Sequence, residues 1–338
     1  MLPEVPLVVS VAEVAVADGS VDAVSPAEIP VVGTSVSSAL SDPEPSVAPL
    51  GWFWSPPAHA TRPAKISKKE RDTTSEAIAD DINFCDENMH FLSFYDMASP
   101  AYVGREMLQL RRSNARGHAE HGWLESRHTF SFAGYRDPAQ MGFGPLRVIN
   151  EDRVQPGMGF GTHPHQDMEI ISYVLEGTLE HKDSMGNGSV IRPGDVQHMS
   201  AGSGVTHSEF NGSKDELVHF LQIWIQPNER GGAPHYGQQH FTRAQRLDQL
   251  RVVASGDGRN GSITIRQDAV MLAGLLSGGT TLEHVVQPGR RAWVHIANGS
   301  VTIAGNALHA GDAVGTDDPG ALQLTANGEA EVLVFDLP

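Results

Sequence analysis

Two stretches about 120 residues apart follow one plan, and this repeat narrows the possible folds more than any other feature of the chain. "YVLEGTLEHKDSMGNGSVIRPGDVQ" and "VHIANGSVTIAGNALHAGDAVG" each read strand, glycine turn, strand, short loop, strand, Gly-Asp turn, strand. Gly177 in the first matches Gly299 in the second, and Gly194-Asp195 matches Gly311-Asp312. The surrounding sequence agrees. "LRVINEDRV", "EIISYVLEGTLEHKD", "SVIRPGDVQHM" and "ELVHFLQIWIQP" are short alternating runs bounded by turn residues, the pattern of half-buried strands. Only "FTRAQRLDQLRVV" carries a helical or loop-helix signal. Short strands at regular spacing in two copies predict an all-β chain of two stacked barrels, with a boundary near residue 240.

The strand pattern starts only after Met107. Residues 1–106 are rich in Ala, Val, Ser and Pro and keep no steady period, which predicts a largely disordered extension. That leaves residues 107–238 and 239–338 for the two barrels. The first 61 residues contain no Lys or Arg, so neither a secretory signal nor a mitochondrial transit peptide is read there, and a cytoplasmic location is expected. No apolar run reaches membrane-spanning length. Cys85 is the single cysteine, which excludes an intramolecular disulfide and thiolate metal sites of the zinc-ribbon kind. A net charge of −17 argues against general nucleic-acid binding. The sequence sets no oligomeric state, and a monomer is compatible with it.

The chemistry concentrates in the first copy. In "GTHPHQDMEI", His163 and His165 stand two apart, so on a strand both imidazoles share one face. "GSGVTHSEFN" places His207 and Glu209 in the same relation. Two strands that each offer a same-face pair can converge on one ion with three nitrogens and one oxygen, which leaves coordination positions open. The competing reading is ordinary: the chain has 16 histidines, and a histidine on a strand is usually surface or satisfied core. His118, His121 and His128 match no ligand spacing, His198 lies on a strand of the first repeat, and His181 and His219 lie in predicted strands or turns; all six are read as structural or surface.

Gly157-x5-His163-x-His165 resembles the start of the first cupin motif, and Gly204-x2-His207-x3-Asn211 the end of the second. "FGTHPHQDMEIISYVLEGTLEHKDSMGN", "MSAGSGVTHSEFN" and "LQIWIQP" resemble the pirin family more specifically. That family is a bicupin group, with two stacked jelly-roll barrels, and the likeness is greatest to bacterial members with quercetin 2,3-dioxygenase activity. It runs from Met107 to the C-terminal "VLVFDLP". The resemblance implies that His163, His165, His207 and Glu209 bind one divalent metal per chain. Iron(II) is the metal expected, and Mn, Ni, Co, Cu or Zn would also suit the set. It also makes Met107 an alternative start, the extension having no counterpart in the family.

Equal counting from the repeat glycines and aspartates puts Val285, Gln287, Leu324 and Ala326 at the ligand positions of the second copy. None is a ligand, so the metal is expected in the first barrel alone, with His284 and His309 incidental. One ambiguity stays with the residues themselves. In the general cupin pattern the glutamate position falls on Ile170, one residue from Glu169, while alternation from His165 would turn Asp167 and Glu169 to the metal side. The pirin resemblance resolves this towards Glu209 and leaves Glu169 a supporting or structural role.

The implied reaction is oxidative cleavage of a flavonol such as quercetin by dioxygen, with release of carbon monoxide. Glu209 would serve as both ligand and general base. Phe160, Met158 and Phe210 could line an apolar slot, although core packing is the commoner use of such residues. Two other function classes share these features: a metal-binding regulatory protein without turnover, and a cupin enzyme with another substrate.

Overall fold

A computed structural model describes residues 108–338. The expected extension over 1–106 and the alternative start at Met107 lie outside the described residues. These form two β-barrels, each built from one seven-stranded and one four-stranded sheet. The predicted strands are present: Leu146–Val154, Glu169–Glu176, Leu179–Asp183, Asp195–Ser200 and Val218–Ile225 fall on the alternating runs. The helical signal shrinks to one turn, Arg243–Arg246. Thr242 caps it and Gln245 closes a capping box, before the chain returns to a strand at Arg251–Ser255. No helix among the described residues is long and apolar enough to cross a membrane.

The glycines that define the repeat have a shared physical reason. Gly177 and Gly299 both have left-handed φ, +77° and +76°. A Cβ at Gly177 would run into the carbonyl oxygen of Leu217, and one at Gly299 into that of Glu329. Each turn is thus pressed against the start of a later strand, Val218–Ile225 or Ala330–Leu337, and only glycine permits both the conformation and the approach.

The two seven-stranded sheets pack face to face. Along Glu169–Glu176, Ile171 and Tyr173 point to the second barrel; along Val218–Ile225, Leu221, Ile223 and Ile225 do the same. They meet Met271, Ala273, Trp293, Leu333 and Phe335 in one continuous core. Tyr173 carries a polar clamp within it, donating to Glu331 at 2.5 Å and accepting from Arg246 at 2.7 Å.

Each barrel gives its leading strand to the other. Gln109–Arg111 pairs with Ala313–Thr316 in the second sheet, while His235–His240 pairs with Asp195–Ser200 in the first. The repeat aspartates hold these joins. Asp195 accepts from His240 at 2.8 Å, and Asp312 accepts from the Ser113 backbone at 2.7 Å and from Arg112 at 2.9 Å. The strand His235–His240 therefore crosses the expected boundary at residue 238 and belongs to the first sheet.

His295 lies at this interface, fully buried, and neither ring nitrogen has a partner. Burial first, then the charge of Arg116, pushes its pKa down to about 3, against Glu151 and Asp312. The unfolded chain takes up a proton near pH 6.5 that the native state refuses until about pH 3, so stability is lost as pH falls through that window. Two pH units below 6.5 the cost is about 3 kcal/mol. In His295→Leu the loss of stability between pH 7.5 and 4.5, read from urea denaturation, should shrink by about that amount. An unchanged loss would show that His295 does not resist protonation.

Candidate metal centre

The interior of the first barrel is apolar at two levels and polar between them. Along Glu169–Glu176 the inward residues are Ile170, Ser172 and Val174; along Val218–Ile225 they are Val218, Phe220, Gln222 and Trp224. Ile170 joins a cluster with Met168, Met199 and Val205, whereas Val174 and Phe220 join another with Val154, Leu179 and Ile191. Ser172 and Gln222 lie between, level with the histidines. In the second barrel the inward residues Ala292, Val294, Ile296, Val332 and Val334 are apolar, and the polar pair His284 and Asp336 lies beyond them at the end of the strand.

Two facing strands bring the histidines together. Gly159–His165 pairs with Val205–Asn211, and His163 stands directly opposite His207. The pair approaches closely at its far end, where a Cβ on Gly159 would strike the backbone of Glu209 and Phe210. Ligand atoms of His163, His165 and His207 all lie within 4.8 Å of one another. The ring centroids are 4.5 Å apart for His163 and His207, and 4.8 Å for each pairing with His165. Trp224 meets His165 edge-on at 4.9 Å and fixes that ring from outside.

The protonation states suit metal binding. His163 Nδ1 donates to the carbonyl of Gly161 at 2.8 Å, which makes Nε2 the nitrogen available to a metal. Burial, then the neighbouring His207 and His163, pushes the pKa of His165 down to about 2. Burial likewise holds His207 well below the usual imidazole range. Both ring nitrogens of His207 are buried and without a partner, the condition a metal bond would relieve. The three residues fit a first-row divalent ion.

Glu209 is on the same strand and face but is not a member of that group. Its carboxylate accepts from Ser172 Oγ at 2.9 Å and from Gln222 Nε2 at 2.7 Å. Glu169 faces the other way. It accepts from His198 at 2.8 Å, from Ser200 at 2.6 Å and from the backbone N–H of Arg266 at 3.0 Å, tying the first barrel to the second. Alternation from His165 fails because the strand stops there: Asp167, at φ +51°, turns the chain before Glu169 begins the next strand. Burial raises the pKa of Glu169, yet the His198 hydrogen bond and charge outweigh it and the net shift is downward.

The remaining candidates divide. Met158 and Phe160 pack on the apolar cluster around Val174, and Phe160 meets Trp123 edge-on at 5.3 Å. Phe210 is half-buried on its strand. His198 and His219 are partners of the buried carboxylates of Glu169 and Glu151. Ser172, Gln222 and Trp224 escaped the sequence reading. Their only trace is a polar residue or a large ring on the inward face of an otherwise aliphatic strand.

Strand pairing also corrects the count in the second barrel. There Gly320 faces Val286 and Leu322 faces His284, as Val205 faces His165 and His207 faces His163. The equivalent positions are His284, Val286, Leu322 and Leu324, because the link from Val286 to Arg291 is one residue longer than that from His165 to Glu169, and the span from Asp312 to Gly320 is two residues shorter than that from Asp195 to Val205. His284 instead lies 3.3 Å from the Asp336 carboxylate. Among the described residues, the histidine trio is the one group of three or more such side chains that converges.

The comparisons with known proteins agree with this architecture. Residues 109–225 match the pirin family and residues 252–337 the quercetinase C-terminal cupin domain. The chain is 48% identical over 232 residues to a quercetin 2,3-dioxygenase of Escherichia coli K12, covering 69% of this chain and 99% of that protein. It is 41% identical over 221 residues to a pirin-like protein of Caulobacter vibrioides, covering 65% of this chain and 95% of that one. Among solved structures, the E. coli bacterial pirin YhhW in complex with nickel(II) superposes with a TM-score of 0.66 at 47% identity. That match covers 69% of this chain and 99% of that one. Two barrels, one of them with a histidine trio, and identity near one half across the whole length of a relative lead to one assignment: the chain belongs to the pirin family of cupin proteins.

Proposed function

We propose that the protein is a metal-dependent dioxygenase that cleaves flavonols such as quercetin at the 2,3 position with dioxygen and releases carbon monoxide. The observation that carries this reading is the trio His163, His165 and His207, with a buried carboxylate two residues along the same strand. It is supported by the E. coli relative named quercetin 2,3-dioxygenase and by the relative crystallised with nickel(II). A bound divalent ion would supply Lewis acidity towards the flavonol 3-hydroxyl oxygen. We assign iron(II), with nickel(II) as the alternative that metal analysis decides.

The chain's own residues do the rest. His163, His165 and His207 hold the geometry. Glu209 takes the hydroxyl proton, and it would be the fourth ligand of a bound ion. Ser172 and Gln222 keep both carboxylate oxygens engaged, so the base is aimed before substrate arrives. Trp224 packs edge-on against His165 and holds that ring in place.

Glu209→Gln tests the base directly. In metal-loaded protein, quercetin-dependent oxygen uptake should fall about 100-fold or more, the usual contribution of a general base. Full activity in that variant would overturn the role. No turnover by the wild type with any of several metals would overturn the dioxygenase reading and favour a binding protein.

A further inference from the structure

His181 is the one inward-facing imidazole near the trio that the proposed mechanism does not use. It stands directly opposite Glu209 on the paired strand Leu179–Asp183, so both side chains enter the barrel on the same face. Its ring centroid is 5.3 Å from that of His207. On its other side the ring stacks on Tyr236 at 5.2 Å with an interplanar angle of 26°. Tyr236 is itself fixed, donating to Gln238 at 2.9 Å and hydrogen-bonded to Ser189. The imidazole is thus clamped by a strand that belongs by sequence to the start of the second half of the chain.

This residue is only 1% exposed, and neither ring nitrogen has a partner. An imidazole always carries at least one N–H, and leaving a buried donor unmade destabilises a fold. His207 shares the condition and has a ready explanation in the metal. His181 has none, since its nitrogens are not among the converging ligand atoms. A clamped, unpaired donor beside a centre with open coordination positions is suited to the molecule that enters them.

We propose that His181 recognises the exogenous ligand of the centre, its ring N–H donating a hydrogen bond to an anionic acceptor atom held where the three histidines leave room. This rests on the metal reading above. In the proposed reaction the acceptor is an oxygen of the flavonolate, and the same donor serves any small anion that enters the site.

The test uses the full chain loaded with cobalt(II) and azide as the probe, followed by visible absorption. His181→Phe should retain one cobalt per chain and bind azide about tenfold more weakly or worse, the effect of losing a hydrogen bond to a charged group. Azide affinity within twofold of wild type overturns the proposal. So does loss of cobalt from the variant, which would make His181 a ligand. Failure of the wild type to take up cobalt overturns the metal reading itself, and the proposal with it. Should the variant not fold, nitrogen-15 spectra of histidine rings in zinc-loaded wild type decide. Azide must shift a ring resonance outside the three metal-bound imidazoles, and no such shift overturns the assignment.

Discussion

His207→Ala loses metal affinity by at least 100-fold while its metal-free fold is undisturbed. The two halves of this expectation have different causes. Removing one of three converging imidazoles leaves His163 and His165, and two adjacent ligands hold a first-row ion far more weakly than three. The metal-free fold gains or loses little, because the truncated ring made no hydrogen bond and was buried at a desolvation cost. Equilibrium dialysis with nickel(II) or cobalt(II) measures the first half. Thermal denaturation with and without metal measures the second. Wild type should be stabilised by about 3–4 kcal/mol at metal concentrations 100 to 1,000 times its Kd, and the variant, binding 100-fold more weakly, by no more than about 0.4–1.4 kcal/mol at the same concentrations. His284→Ala is the matched control, since strand pairing gives it the equivalent position in the second barrel, and it should bind metal as wild type does. Unchanged affinity in His207→Ala would remove the trio from consideration as a metal centre.

Trp293→Ala should destabilise the protein by about 3–5 kcal/mol, the usual result of emptying a buried aromatic site. Trp293 is 2% exposed and lies on the second barrel's large sheet. Its ring packs against Phe130 at 5.0 Å and Phe143 at 5.3 Å, both contributed by the first barrel. Beneath it, a Cβ on Gly315 would come within 2.8 Å of the indole, so the backbone is already in contact and cannot close a cavity. Urea denaturation gives the number. Val285→Ala, at a position 45% exposed, should stay within about 0.5 kcal/mol of wild type. A change below about 1 kcal/mol in Trp293→Ala would mean that the barrels do not share a core.

Much of this was visible in the chain itself, and the reasons are local. Strand alternation and glycine turns act over a few residues, so the runs at 146–154, 169–176 and 218–225 could be read directly. Two same-face pairs, His163 with His165 and His207 with Glu209, announced a site because a spacing of two has a fixed meaning on a strand. What stayed hidden depends on distance or on small changes of frame. Nothing near Gln109 shows that it pairs with Gly315, since that register is set by a sheet edge roughly two hundred residues away. A link one residue longer, from Val286 to Arg291 against His165 to Glu169, made His284, not Val285, the counterpart of His163. Ser172 and Gln222 are single polar residues in apolar strands, and only the meeting of three strands around Glu209 gives them a purpose. His181 reads as one more histidine in a predicted strand or turn, because cross-strand neighbours have no sequence signature.

The exchange of leading strands has a consequence in time. Translation at about 5–20 residues per second separates Gln109–Arg111 from its partner Ala313–Thr316 by about 10–40 s. The histidine-bearing barrel emerges whole during that interval, with its own edge at Asp195–Ser200 covered as soon as His235–His240 appears. Its first strand, however, remains an unpaired ribbon until the last hundred residues are made. The nascent chain therefore carries an open β-edge through most of its synthesis, and the end product closes it only by folding the second barrel back onto the beginning.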